Sequence, residues 1–365
     1  MASVNIPQSD NCVTVKVIDN GARITGPMSF FIDPPILDEL QSKQKLFAPA
    51  LVFLVEHQQS KRRVVFDLGI RKNPADYPPA VLAYHKAFEI QTGEEVFDIL
   101  RDGGVDLDTI EAVIWSHHHL DHTGNPSGFP ATTDLIVGPG FNETLLPTYP
   151  ENPEAMVGQR DLDGRTVRQL DFETQSDGLA IGGFRAIDYF KDGSFYLLEA
   201  PGHSVDQVAG LVRTSASPSR FILLGADIGH HASQWRPSEQ VPLPKELDPS
   251  PFGAESKFNI RLNVCCGELF TKHVHSEGAN NKPFARIKAG HPHDAEEAQR
   301  CVEKMPLFDS DENIMVIAAH DFTLLPILDY FPKEANGWYE AGWKTKSRWE
   351  FLKGLTGIVE AKTVH

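Results

Sequence analysis

The sequence predicts a layered α/β protein built as one domain, and three observations carry that expectation. Strand-like apolar runs recur in two β-rich halves with helix-like patterns between them, the order expected of packed layers. Neither a repeat of solenoid length nor a linker long enough to separate a pair of domains interrupts the 365 residues. Apolar residues at 41% and charged residues at 23% suit a chain that buries a large core, which excludes disorder, collagen and coiled coil as whole-chain answers.

In chain order, Val13 to Ile18 alternates, Asn20-Gly21 signals a turn, and Ala22 to Ile24 resumes, the pattern of a hairpin. Ala50 to Val55 and Arg63 to Phe66 read as a second hairpin that runs into the tight turn Asp67-Leu68-Gly69. Pro79 to Leu100 holds a helix spaced through Val81, Leu82, Tyr84 and Phe88, with a second segment near Val96 to Leu100. Ile110 to Trp115 is a short buried strand. Further strands are expected at Leu135 to Val137, Phe184 to Tyr189, Phe195 to Glu199, Gln207 to Arg213 and Phe221 to Leu224. Residues 229 to 312 read as an irregular, partly helical insertion over the active-site face. It is punctuated by Pro237, Pro242, Pro244, Pro249 and Pro251, and it is too apolar for a linker. A helix follows from Asp294 to Met305, then a strand at Ile314 to Ala318. Past the Trp-rich stretch of Trp338, Trp343 and Trp349, a last strand is expected at Gly357 to Ala361.

Charge narrows the function. Thirty-four Lys and Arg against fifty Asp and Glu give a net charge of −16, the wrong sign for a nucleic-acid binder. No apolar run is long enough to span a membrane. Met1 to Gln8 has neither a basic nor an apolar signal region, and Cys12, Cys265, Cys266 and Cys301 form no disulfide framework. The expectation is a cytoplasmic protein, monomer or homodimer, that acts on a small molecule.

The histidines carry the chemistry. His117-x-His119-x-Asp121-His122 sits at the end of a predicted strand and ahead of Gly124. On extended backbone His117 and His119 project to one side. A helix starting near Asp121 turns Asp121 and His122 towards a second point. Four such residues are too few for two ions, each needing about three protein ligands and an open position. The remainder is found after three other apolar strands, at His203, Asp227 and His320. Imidazole and carboxylate donors together suit Zn²⁺, with Fe or Mn as alternatives.

From Asp67-Leu68-Gly69 to His320-Asp321, and most specifically over Ser116 to Gly124, the chain resembles the metallo-β-lactamase superfamily. The resemblance implies a four-layer αββα sandwich with two divalent ions at the edge between its sheets. It places one ion on His117, His119 and His203 and the other on Asp121, His122 and His320, with Asp227 bridging. Asp67 would steady the histidine loop, and His118 would point away. All seven ligands together look like the lactonase and glyoxalase II branches. Asp227-Ile228-Gly229-His230-His231, Arg236-Pro237-Ser238 and the Trp-rich tail look most like fungal lactonase-like members, among them lactamases that open benzoxazolinone rings. Homoserine-lactone lactonases carry a Tyr three residues after the bridging Asp; His230 stands there in this chain.

The expected reaction is opening of a lactone or lactam ring of an aromatic or apolar small molecule by metal-bound hydroxide. Asp227 holds the ions together, Asp121 orients the hydroxide and passes its proton to the leaving atom, and His230, or less directly His231, donates to the oxyanion. Trp235, Phe252, Phe258 and Phe322 are candidates for the substrate wall. The alternative is a thioesterase of the glyoxalase II kind or one acting on a polyketide carrier protein, with Lys257, Arg261, Lys272, Lys282, Arg286 and Lys288 as an anion-binding mouth. A metal-binding scaffold or sensor is disfavoured by the intact ligand set, and an oxygen-reducing flavoprotein by the missing flavin domain.

Overall fold

Two twisted sheets lie face to face in a computed structural model that describes residues 4–33 and 45–363. The ends of the expected 1–365 span, residues 1–3 and 364–365, lie outside the described residues. The first sheet runs in the order Glu89–Gln91, Val13–Pro27, Lys45–His57, Arg63–Phe66, Ile110–Ile114, Asp134–Val137, Val167–Gln169. It is antiparallel as far as Arg63–Phe66 and parallel beyond. The second runs Ile314–Ile317, Ser219–Leu224, Val208–Ala216, Phe195–Glu199, Phe184–Asp188, Ala180–Ile181.

Both faces of each sheet are covered, which is why the strands read as continuous apolar runs. Leu51, Phe53 and Val55 point between the sheets, where they meet Phe195, Leu197, Ile222, Leu224, Met315 and Ile317. Their neighbours Val52 and Leu54 face outwards onto a layer that holds Leu100, Trp115 and Phe141. Tyr196, Leu198, Leu223 and Val316 face the opposite outer layer, built from helices Ala295–Val302, Met305–Ser310 and Thr356–Lys362 and from Trp235, Leu247, Phe270 and Phe284. The architecture is the αββα sandwich. Within 229–312, His230 and residues 287–292 come to the inter-sheet edge, and much of the rest packs on the outer face of the second sheet.

Three local expectations are corrected. Val13 to Ile18 and Ala22 to Ile24 belong to one strand, because Lys45–His57 is long enough to pair with both. Asn20-Gly21 makes a bulge there. Gly21 has a φ of 81°, and the Asn20 amide donates to the carbonyls of Ile70 and Glu94. Gly357 to Ala361 is helix, since Leu352, Leu355, Ile358 and Val359 recur at helical spacing against the second sheet's outer face. The stretch from Pro79 to Leu100 breaks after Tyr84 and gives Glu89–Gln91 to the sheet edge before helix Val96–Asp102 begins.

Register sets up one edge of the sandwich. Phe66 pairs with Ile114, so Asp67 lies level with the start of the histidine loop. Leu224 pairs with Ile317, so Asp227 and His320 each stand three residues past a matched pair. The two sheets are tied at this edge, because Val208 N–H donates to Ser116 O at 2.8 Å and Leu51 N–H to Ala319 O at 3.3 Å.

Candidate metal centre

Five strand ends deliver the site residues. Ile110–Ile114 runs into Ser116 to His119, after which a single helical turn, Leu120–Thr123, reverses Asp121 and His122 towards the same space. The turn closes on Gly124, whose φ is +44° and where a Cβ would sit 2.5 Å from the Leu68 carbonyl. Gly202, at φ +120°, lets the backbone bend against helix Ala295–Val302 just before His203; a Cβ there would meet Ala298 N at 2.1 Å. Ala226 is left-handed at φ 44° and turns Asp227 inwards. Arg71 braces the loop from below. Its guanidinium donates to Gly124 O and Asp161 and lies 4.1 Å above the Tyr77 ring, whose hydroxyl donates to Leu120 O.

The seven expected side chains converge. Donor atoms of His117, His119, His203 and Asp227 lie within 4.8 Å of one another, as do those of Asp121, His122 and His320. In the first group His119 Nδ1 is 2.9 Å from both His117 Nε2 and His203 Nε2. Asp227 stands between the groups. One carboxylate oxygen is 3.3 Å from His203 Nε2, and the other is 3.2 Å from His122 Nε2 and 3.1 Å from His320 Nε2. His118 is turned to Asp206, with Nδ1 2.8 Å from its carboxylate. His230 joins Asp227 and His320 in a third group, its Nε2 3.3 Å from Asp227.

These residues fit divalent cations, and the reason lies in the tautomers. His122 Nδ1–H donates to Asp67 at 2.8 Å, and His320 Nδ1–H donates to Pro49 O at 2.8 Å. Each ring therefore presents a lone pair at Nε2. Those lone pairs face the carboxylates of Asp121 and Asp227, acceptor against acceptor in a buried space. His122 Nε2 and Asp227 Oδ1 have no hydrogen-bond partner among the described residues. Without a cation, that arrangement is relieved only by protons. Burial opposes charge on His122 and His320, yet the carboxylates outweigh it: His122 is held well above its ordinary value and His320 at about 9. His117, His119 and His203 are pushed well below theirs, first by burial and then by neighbouring imidazoles. Neutral imidazoles and ionised carboxylates are the forms that ligate metal.

Asp67 sits at φ 63° and accepts twice, from Ser116 N–H at 2.7 Å and from His122. Asp67→Asn keeps the left-handed backbone but offers one acceptor oxygen to two donors. We expect it to weaken metal affinity about 10–100-fold in a chelator competition; unchanged affinity would detach Asp67 from the orientation of His122.

A cavity of about 120 Å³ opens on His119, Asp121, His203, Asp227, His230 and His320. Its wall corrects the aromatic expectation. Trp235 is core, 1% exposed, while Phe252 and Phe258 pack on each other 5.0 Å apart and Phe322 packs against the same core cluster. The wall comes instead from Ile24, Phe30, Phe31, Tyr84, Phe88 and Ile287, with His85, Lys288 and His291 as its polar members. Phe31 stacks on His230 with ring centroids 4.5 Å apart. Of the six basic residues considered for an anion-binding mouth, Lys288 alone reaches the cavity. Arg261 and Lys282 are paired with Glu246 and Glu277. No helix among the described residues is long and apolar enough to cross a membrane.

Comparison with known proteins agrees with this fold. A model of the metallo-beta-lactamase superfamily matches residues 47–209. The gamma-lactamase FDB1 of Fusarium pseudograminearum is 37% identical over 366 aligned residues, spanning 98% of this chain and 86% of that protein. The metallo-hydrolase mfmC of Annulohypoxylon moriforme is 38% identical across 96% of this chain and 89% of its own length. Among solved structures, an N-acyl homoserine lactone hydrolase with N-hexanoyl-L-homoserine at its catalytic metal center covers 91% of this chain and 100% of its own, with a TM-score of 0.54. At 14% identity that likeness is one of fold. Kinship along nearly the whole chain decides the matter: the protein is a hydrolase and belongs to the metallo-β-lactamase superfamily.

Proposed function

We propose that this chain is a dinuclear zinc hydrolase that opens the ring of a cyclic ester or amide carried on an aromatic or apolar small molecule. His117, His119 and His203 hold one ion and Asp121, His122 and His320 the other, with Asp227 shared between them. The single observation that carries the reading is the aromatic-walled cavity that opens onto both ligand groups at once. When bound, the ions supply Lewis acidity and bring the pKa of water towards about 7. The chain's own groups do the rest. The phenyl rings of Phe30, Phe31 and Phe88 exclude bulk water and orient a flat substrate. Asp121, at the cavity floor, takes the proton of the attacking water and returns it to the departing ring oxygen or nitrogen. His230 donates from Nε2 to the carbonyl oxygen as charge builds there. In a ring the leaving atom stays tethered, so a closed pocket releases one product molecule. The free cysteines Cys12, Cys265, Cys266 and Cys301 suit a reducing, cytoplasmic setting.

A panel of γ-lactones, benzoxazolinones and S-lactoylglutathione tests the reading. Ring substrates are expected to lead in kcat/KM, and preferential turnover of the thioester would replace this proposal with the thioesterase alternative. His230→Phe keeps an aromatic ring beside Phe31. We expect about a 10²-fold fall in kcat with metal content unchanged; unaltered kinetics would remove His230 from the reaction, and loss of metal would make it a ligand.

A further inference from the structure

Within a largely apolar wall, the buried imidazole of His85 offers a hydrogen-bond acceptor, and the reaction as proposed does not use it. His85 follows the short helix Pro79–Tyr84 and is 7% exposed. Its Nδ1 lies 2.8 Å from the Val81 carbonyl, which accepts only, so the proton is on Nδ1 and the lone pair on Nε2. Tyr84 and Phe88 pack on the ring with centroids 4.9 and 6.1 Å away, fixing its plane. His85 lines the cavity, and no described residue bonds its Nε2, which is not sealed in the core. The ring lies 6.4 Å, centroid to centroid, from His119. The ring therefore stands about one ring's width from His119, a member of the cluster.

We propose that His85 is a specificity-determining residue, its Nε2 accepting a hydrogen bond from an N–H or O–H that the substrate carries about one ring's width from the reacting carbonyl. The proposal rests on the ring-opening reading for what that carbonyl is. In an apolar pocket an unpaired acceptor is costly. The site therefore selects cyclic esters and amides that bear a polar hydrogen and penalises analogues in which methyl replaces it.

Indole and 1-methylindole differ in that hydrogen and have no carbonyl, so their binding can be read without turnover. Titrated calorimetrically into the metal-loaded protein, indole is expected to bind about tenfold more tightly than 1-methylindole. In His85→Phe, which keeps a ring between Tyr84 and Phe88, the two are expected to bind within about threefold. A wild-type protein without the preference, or a variant that retains it, overturns the proposal. A second measurement needs no variant. In wild-type protein carrying ¹⁵N-histidine, the Nε2 resonance of His85 should move upfield with indole and stay in place with 1-methylindole; a resonance that ignores both is equally fatal. Dihydrocoumarin hydrolysis, followed alongside, separates the two ideas. Its absence in the wild type counts against ring opening, whereas the indole pair alone decides His85.

Discussion

Asp227→Ala is expected to abolish activity, by at least about 10³-fold in kcat/KM, while the fold survives. The carboxylate is the one anion common to both ligand groups, 3.1 to 3.3 Å from nitrogen atoms of His122, His203, His230 and His320. Its removal leaves a ring of imidazoles with Asp121 as the remaining carboxylate among the seven proposed ligands. Two cations held as proposed would repel with less anionic charge to screen them, so metal content should fall from the proposed complement of about two per chain to about one or fewer. The fold does not depend on this carboxylate, because the inter-sheet layer of Phe53, Leu197, Ile222 and Ile317 is complete without it. Circular dichroism should therefore be unchanged, and melting in excess chelator should stay a single cooperative transition. Elemental analysis and the lactone assay together read the result. Full turnover with two ions bound would place Asp227 outside the shared position, and wild-type activity after exhaustive chelation would overturn the metal reading altogether.

The residues proposed as ligands were legible for a physical reason. His117, His203, Asp227 and His320 stand three or four residues past apolar strands, Asp121 and His122 follow in the turn after His119, and a strand end is a local feature of sequence. Once the strands pair in register, as Leu224 does with Ile317, local spacing becomes spatial proximity. The cavity wall has no such signature. Phe30 and Phe31 lie far upstream of the histidine loop, and Tyr84, His85 and Phe88 sit in a stretch whose apolar spacing reads as an ordinary helix face. Apolar residues that line a pocket and apolar residues that fill a core obey the same periodicity. Trp235 illustrates the converse: it is near the site in sequence, aromatic, and wholly buried as core. The His85 acceptor was equally hidden, because the tautomer that makes it one depends on a hydrogen bond to Val81 that only the helix geometry creates.

Turn chemistry failed where tertiary pairing overruled it. Asn20-Gly21 has the residues of a two-residue hairpin, but Lys45–His57 continues past it and pairs with both flanks. The Asn20 amide is then spent on Ile70 and Glu94. At the other end, Ile358 and Val359 suggested a strand by composition, but Leu352 and Leu355 before them complete a helical stripe. In both cases the deciding information was a partner outside the window being read.

Asp309→Ala is the substitution expected to cost the most stability. Arg236 and Asp309 form a two-pronged pair, Nε to one oxygen at 2.9 Å and an Nη to the other at 2.6 Å, with exposures of 4% and 2%. The guanidinium also donates to Arg348 O at 3.0 Å. The pair ties the segment after His230 to helix Met305–Ser310, which leads into strand Ile314–Ile317 ahead of His320, so it braces two of the arms that carry the site. Burial raises the Asp309 carboxyl, but the charge and hydrogen bonds of Arg236 outweigh it and hold the group at about 2, below its ordinary 3.8. The sign follows. A depressed carboxyl contributes stability above about pH 4 and loses it as pH falls from 3.8 towards 2. Alanine leaves the guanidinium without its two-pronged partner, beside Lys344 and Arg348, at an expected cost of about 3–5 kcal/mol, or roughly 5 °C in the melting temperature. Relative to the variant, the wild type should lose its advantage across that acid window. The double replacement Arg236→Met with Asp309→Leu removes both charges and should recover most of the loss, because the penalty arises from the stranded charge and not from the absent bond. If the double variant melts as low as Asp309→Ala, the pair is a packing element whose shape matters more than its charge.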